Sequence, residues 1–435
     1  MSTELIGILS VVVIVGLVLV RVPVAVAMGL VGTIGYGLVD HWSAALDRLG
    51  NTPFELAEGY SLSVVPLFML MGAVASRSGM SQDLFRATNG LFAGWRGTAA
   101  MATVGACAGF GSICGSSLAT AATMSRIAIP EMRSLGYDER LAAGAVASGG
   151  TLAILIPPSV ILIVYAVMAQ ASVAQLFAAA LVPGIVLTVL HVAVIWALCR
   201  WRPELAPAAP GKLAWPERLR SIARMWQIAV LFTVSVGGIY VGLFSPTEAA
   251  AVGCLGAMLM GLVSRRIGYR DLAASLVETV RTTAVLFFIV IMAFVYAYFL
   301  ILTHLPQSLV GFVTALHFSP LAVMVLLILF YLVLGCFLDS LGMILITVPV
   351  FLPLVLGLGY SSTWFGVLVV LVVEIGLITP PIGMNLFVIR AQQPDIRIAS
   401  LYRGVLPFLA ADAVLILLLF VFPALALWLP KFLFG

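Results

Sequence analysis

GFGSICGSSLATAAT, residues 109–123, puts small and hydroxyl side chains inside a stretch whose flanks are apolar enough for lipid. Glycines 109, 111 and 115 let backbone groups approach a ligand closely. Ser112, Ser116, Ser117 and Thr120 add oxygens of the kind that coordinate a cation. A helix broken at membrane depth is tolerated only where it lines protein or a watery cavity, so something other than lipid is expected to meet this segment.

The rest of the chain supports that setting. Of its 435 residues 63% are hydrophobic and 9% charged, against roughly 25% charged in a soluble domain. The composition excludes an ordinary soluble enzyme and points to a polytopic, all-α membrane protein. Leu5–Val20 is followed, after Arg21, by a second apolar segment, and no A-x-A-type site ends the first; it reads as a retained span rather than a cleaved signal. The five cysteines lack C-x-x-C spacing and the four histidines are scattered, which supports neither a disulfide framework nor a metal cluster.

Twelve apolar runs follow one another between residues 5 and 430. Those at about 98–125 and 320–356 are too long and too interrupted by Gly, Ser or Asp for one span of about 20 residues. Each is expected to be a span followed by, or folded into, a re-entrant helical hairpin. The most polar stretch, residues 201–224 with Arg200 just before it, carries Arg202, Lys212, Arg218, Arg220 and Arg224 and prolines 203, 207, 210 and 216. It divides the chain into residues 1–200, a cytoplasmic linker, and residues 225–435. Sliding the sequence by 222 places Cys114 on Cys336 and brings Pro157-Pro158 within one residue of Pro380-Pro381, so the halves are repeats.

Their loops differ in sidedness. Segment 40–59 is acidic while its counterpart near 264–281 is basic, and 77–96 carries three arginines while 303–319 carries neither Lys nor Arg. Segment 126–140 has three arginines against none in 357–364, and the uncharged turn near 170–175 matches a second-half turn with Arg390, Arg397 and Arg403. Because Lys and Arg mark cytoplasmic loops, the repeats are inverted, with Arg21 inside and both termini outside. Inverted repeats with interrupted helices are the architecture of secondary transporters, whose sites lie near the bilayer midplane.

Within each half, a hairpin tip is followed by a helix that a proline pair must break. The first half offers Gly111–Thr123 and then Ile156-Pro157-Pro158-Ser159 in a broken helix at about 141–169; the second offers Gly335–Ser340 and then Thr379–Asn385 in a broken helix at about 365–389. Asp339 is an ionisable group at membrane depth, functional by default, and carboxylate, carbonyl and hydroxyl oxygens suit a hard cation such as Na+. A helix cap is its structural alternative. Glu374 is read either as a buried hydrogen-bonded acid or as a proton site. Gly111-x-x-x-Gly115 also fits helix packing, Glu248 fits a helix start, and Asp412 is expected to pack against a neighbour.

PLFMLMG (66–72), GSSLATA (115–121), ILIPPS (154–159), SPTEAAAVG (245–253) and ITPPIGMN (378–385) together resemble the large membrane subunit of tripartite ATP-independent periplasmic (TRAP) transporters, over essentially the whole chain. The resemblance implies an elevator-type carrier, not an enzyme, in a bacterial or archaeal inner membrane. It implies a small four-helix membrane subunit and a periplasmic substrate-binding protein as partners, with no nucleic acid. The cargo would be an organic acid such as a C4-dicarboxylate or a sialic acid, driven by Na+ as coupling ion with no other cofactor. Carried onto this chain, one Na+ site would use Ser112 and Gly115 with Ile156, Pro157 and Ser159. A second would use Gly335, Asp339, Thr379 and Pro380. The substrate carboxylate would lie near Ser116, Ser117, Thr120 and Asn385. An anion carrier of the same superfamily that works without a binding protein is the alternative. A channel is disfavoured by the paired proline breaks, and an intramembrane protease by the absence of a second aspartate or a histidine placed to serve Asp339 or Ser116.

Overall fold

The computed structural model describes residues 3–208, 211 and 214–435, and the described residues form helices with no strand. Five helices are long and apolar enough to cross a membrane: Val173–Trp201, Pro246–Val263, Tyr269–Leu302, Ser340–Gly357 and Ile398–Val421. Three bent helix pairs raise the number of spans to as many as eight. Large apolar side chains such as Val189, Leu259 and Leu417 stand exposed on their outer faces. In water that would be costly; against hydrocarbon it is the ordinary arrangement.

Both hairpins and both broken helices are present. The first hairpin has arms Thr98–Cys114 and Ser117–Ser134, so its second arm runs beyond the expected end near 125. It turns at Gly115, whose φ of 63° is the left-handed region that glycine enters without strain. Ser116 then caps the second arm, its side chain accepting from the Ala119 N–H at 3.4 Å. The second hairpin has arms Pro320–Gly335 and Ser340–Gly357. Asp339 is its cap, accepting from the Gly342 N–H at 3.1 Å.

The first broken helix runs Glu139–Leu155 and Val160–Met168, bent by 43°. Consecutive prolines supply no N–H to continue the helix, and Ser159 restarts it by accepting from the Leu162 N–H at 3.3 Å. The second runs Ser362–Gly376 and Met384–Gln392. The Pro157-Pro158 and Pro380-Pro381 bonds are both cis.

Hairpin and broken helix meet in the same register in each half. A Cβ on Gly111 would lie 2.3 Å from the Ala153 Cα, and one on Gly335 would lie 2.9 Å from the Gly376 Cα. Ala153 stands four residues before Pro157 and Gly376 four before Pro380. At the tips, the Val160 N–H donates to the Gly115 carbonyl at 3.4 Å, and the Cys336 thiol donates to the Pro380 carbonyl at 3.2 Å. Small residues permit this backbone approach where lipid provides no hydrophobic drive between helices.

Two polar segments are more ordered than the sequence suggests. The acidic segment 40–59 is largely a helix, Trp42–Glu58, exposed along most of its length. The stretch after Trp201 carries a helix, Trp215–Ala223, packed on Met80–Leu91. Arg218 donates to the Ala93 carbonyl at 2.6 Å and Arg96 to the Ala206 carbonyl at 3.1 Å, which ties this stretch to the first hairpin's entry. Pro210 and Lys212 lie outside the described residues. Glu248 and Ser245 form a reciprocal capping box, as the sequence indicates.

Candidate functional site

The two hairpins converge on one acid. Glu374, in the last turn of Ser362–Gly376, is 2% exposed. Ser340, first residue of the second hairpin's second arm, donates to Glu374 Oε1 at 3.2 Å. Ser117, at the same place in the first hairpin, approaches the same carboxylate. Oε2 has no hydrogen-bond partner. An acid so placed must be compensated by hydrogen bonds, a cation or a proton. The halves differ here: Glu374 stands six residues before Pro380, and six residues before Pro157 stands Thr151, whose hydroxyl donates to the Ser148 carbonyl at 2.7 Å.

The residues expected at the first cation site surround the first tip and first break. Ser112 donates to the Gly109 carbonyl at 2.7 Å. The Gly115 carbonyl faces Val160, and a Cβ on Gly115 would lie 2.8 Å from the Pro158 carbonyl oxygen. The Ile156 N–H still donates back to Leu152 at 3.0 Å, so the helical ladder ends there, immediately before Pro157. Ser159 is fully buried as a cap. The second set surrounds the second tip and break. Gly335 abuts Gly376, the Pro380 carbonyl accepts from Cys336, and Thr379 Oγ1 donates to the Ile375 carbonyl at 2.6 Å. Asp339 is partly buried, and one of its oxygens is engaged by the Gly342 N–H rather than by the break.

Of the residues expected near substrate, Ser116 is engaged as a cap, Ser117 faces Glu374, and Thr120 and Asn385 are fully buried. Thr120 Oγ1, Ser148 Oγ, Glu374 Oε2 and both side-chain polar atoms of Asn385 lack hydrogen-bond partners. They come from elements packed on one another: Ser117–Ser134 and Ser362–Gly376 each against Glu139–Leu155, and Met384–Gln392 against Ser117–Ser134 and Glu139–Leu155. Native interiors rarely leave such atoms unpaired, so these atoms have hydrogen-bonding capacity free for a bound species. No group of three or more His, Cys, Asp and Glu side chains converges among the described residues. A cation held here would therefore rely on hydroxyl and carbonyl oxygens with at most one or two carboxylates, which suits Na+.

Beside the first tip lies a cavity of about 630 Å³ between Ser117–Ser134, Val64–Arg77 and Tyr269–Leu302, whose lining includes Ser116, Thr123, Arg126, Arg77, Glu278 and Thr279. Sequence reading did not single out Arg126 or this cavity. The available signal was the recurrence of 116, 119, 122, 123 and 126 at helical spacing, one face of the hairpin arm. Glu374's link to both tips was equally hidden, since Ser117 and Ser340 are 223 residues apart.

The chain matches the family described as "Tripartite ATP-independent periplasmic transporter, DctM component" over residues 11–425. The C4-dicarboxylate TRAP transporter large permease protein DctM of Pseudomonas aeruginosa is 36% identical over 385 residues, 87% of this chain and 88% of that protein. The sialic acid TRAP transporter large permease protein SiaM of Vibrio cholerae is 31% identical over 380 residues, again 87% of this chain and 88% of that protein. In fold, the chain resembles the YdaH transporter of Alcanivorax borkumensis, with a TM-score of 0.62 at 18% identity over 90% of each chain. Two hairpins, two proline-broken helices and a match of this extent give one conclusion: the chain belongs to the DctM family of TRAP transporter components, the large membrane permeases.

Proposed function

We propose that this permease imports an organic acid, a C4-dicarboxylate, a sialic acid or a similar carboxylate, in symport with Na+ across the inner membrane. The observation that carries the proposal is the meeting of both hairpin tips at Glu374, among buried oxygens without partners. Such a site is reached from one side or the other only if the tips move, and inverted repeats supply the two related states.

An elevator movement fits the way the hairpins are joined. Arg133 on the first hairpin pairs with Asp395, just beyond the second broken helix, at 2.5 Å. The Gln393 side chain donates to the Ser125 carbonyl at 3.4 Å. Glu374 adds a third tie, so hairpins and broken helices form one body that moves against the remaining spans. Carboxylate cargo fits the relatives' names and the arginines beside the tip. A tripartite family supports a small membrane subunit and a periplasmic binding protein as partners. The distribution of Lys and Arg supports a periplasmic position for both termini.

The test is uptake of radiolabelled succinate and N-acetylneuraminate into proteoliposomes containing the small subunit, with the binding protein added outside. Uptake that requires an inward Na+ gradient is expected. Equal uptake without Na+ overturns sodium coupling, equal uptake without the binding protein turns the reading to a stand-alone carrier, and no uptake of either probe overturns the cargo class.

A further inference from the structure

We propose that the cavity beside the first hairpin is an anion vestibule in which Arg126 binds a carboxylate of the cargo between the hairpin tip and the cytoplasm; the inference rests on the transporter reading above. Arg126 and Ser116 lie on one face of the same helix and both line the cavity. They are ten residues apart, or about 15 Å at 1.5 Å per residue. The Arg126 Nε reaches back to the Ala122 carbonyl, so its guanidinium stands partway between the tip and the far end of the helix, along the cavity rather than at the tip itself.

The charges in the lining are unequally engaged. Arg77 donates to Glu278 Oε2 at 2.8 Å, so those two compensate each other. Arg126 has no carboxylate partner among the described residues; its Nε makes a long 3.4 Å contact with the Ala122 carbonyl of its own helix. The remaining guanidinium donors form a planar fork that matches a carboxylate. With two arginines against one glutamate, the lining carries a net positive charge of one, the sign that concentrates anions in a cleft. Across the cavity stands Thr279, whose Oγ1 is buried without a partner. Arginines at residues 77, 86, 96, 126, 133 and 140 put this side of the protein at the cytoplasm, where cargo is released.

A vestibule of this kind makes cargo on the cytoplasmic side compete with release. The experiment uses the same proteoliposomes, preloaded with increasing succinate or N-acetylneuraminate, and measures the lumenal concentration that halves the initial rate of uptake. For Arg126→Gln this concentration is expected to rise about tenfold, the scale of one lost charge-assisted hydrogen bond. Arg126→Lys, which keeps the charge and loses the fork, is expected to fall between. Thermal unfolding of both variants in detergent separates this from misfolding. Unchanged half-inhibition in a folded Arg126→Gln variant overturns the vestibule while leaving the transporter reading intact; absence of wild-type uptake of both probes overturns the cargo reading and this inference with it.

Discussion

Asp339 has one observed role and one proposed role, which substitution separates. Its carboxylate caps the second hairpin's second arm, and the proposed Na+ coupling would use it as a ligand as well. Ser caps a helix about as well as Asp, whereas Ala costs about 1 kcal/mol. Asp339→Ser is therefore expected to unfold at nearly the wild-type temperature but to need roughly tenfold more Na+ for half-maximal uptake, the effect of losing one charged ligand. A Na+ dependence matching wild type in Asp339→Ser would reduce the residue to a cap. At Glu374, Leu in place of the acid leaves Ser340 unpaired, an expected loss of about 1–3 kcal/mol in thermal unfolding together with loss of uptake. Glu374→Gln keeps an acceptor for Ser340 and is expected to recover much of the stability. The sequence left Glu374 as either a buried hydrogen-bonded acid or a proton site; the structure buries it and hydrogen-bonds it to Ser340, 34 residues before it, with Ser117 of the other half alongside.

Among the elements, the contact between each hairpin and the broken helix of its own half is the most exacting. Gly335 and Gly376 touch backbone to backbone, and a Cβ on Gly376 would lie 2.6 Å from the Gly335 Cα. Neither backbone can yield as a flexible side chain would, so Gly376→Val is expected to cost about 1–3 kcal/mol. It should also abolish uptake while the protein still inserts, as membrane fractionation and a transport assay on the same preparation would show. Wild-type uptake by that variant would mean the contact is incidental. The breaks were legible from their proline pairs, because a missing N–H is a local property. The segments at 40–59 and 215–223 were not recognised as helices, because polar composition conceals a periodicity of 3.6.

Across the whole molecule, the halves are also joined through a buried pair. His191, on Val173–Trp201 after the first broken helix, meets Asp412, on Ile398–Val421 after the second, at 2.9 Å with neither exposed. Phe408 closes over the imidazole edge to face, 5.4 Å between ring centroids. Removing one member of such a pair leaves a buried polar group uncompensated, at a cost of about 3–5 kcal/mol, whereas replacing both by apolar residues is often neutral. His191→Leu is thus expected to lower the unfolding temperature strongly, and His191→Leu/Asp412→Leu to restore most of it. A double variant no more stable than the single one would show that the pair does more than fasten the helices. From the sequence Asp412 was expected to pack against a neighbour, and the histidines looked unrelated to it; 221 residues separate this pair.

The sequence by itself determined the membrane setting, the two hairpins and the two proline-broken helices. These follow from hydropathy and from residues that cannot continue a helix, both of which act locally along the chain. Only the tertiary structure decided that Ser117 and Ser340 share Glu374, that His191 holds Asp412, and that Arg126 faces a cavity with its charge uncompensated while Arg77 is paired. Those facts depend on which helices pack together, and short-range pattern carries no information about partners on other helices, from 34 to more than two hundred residues away.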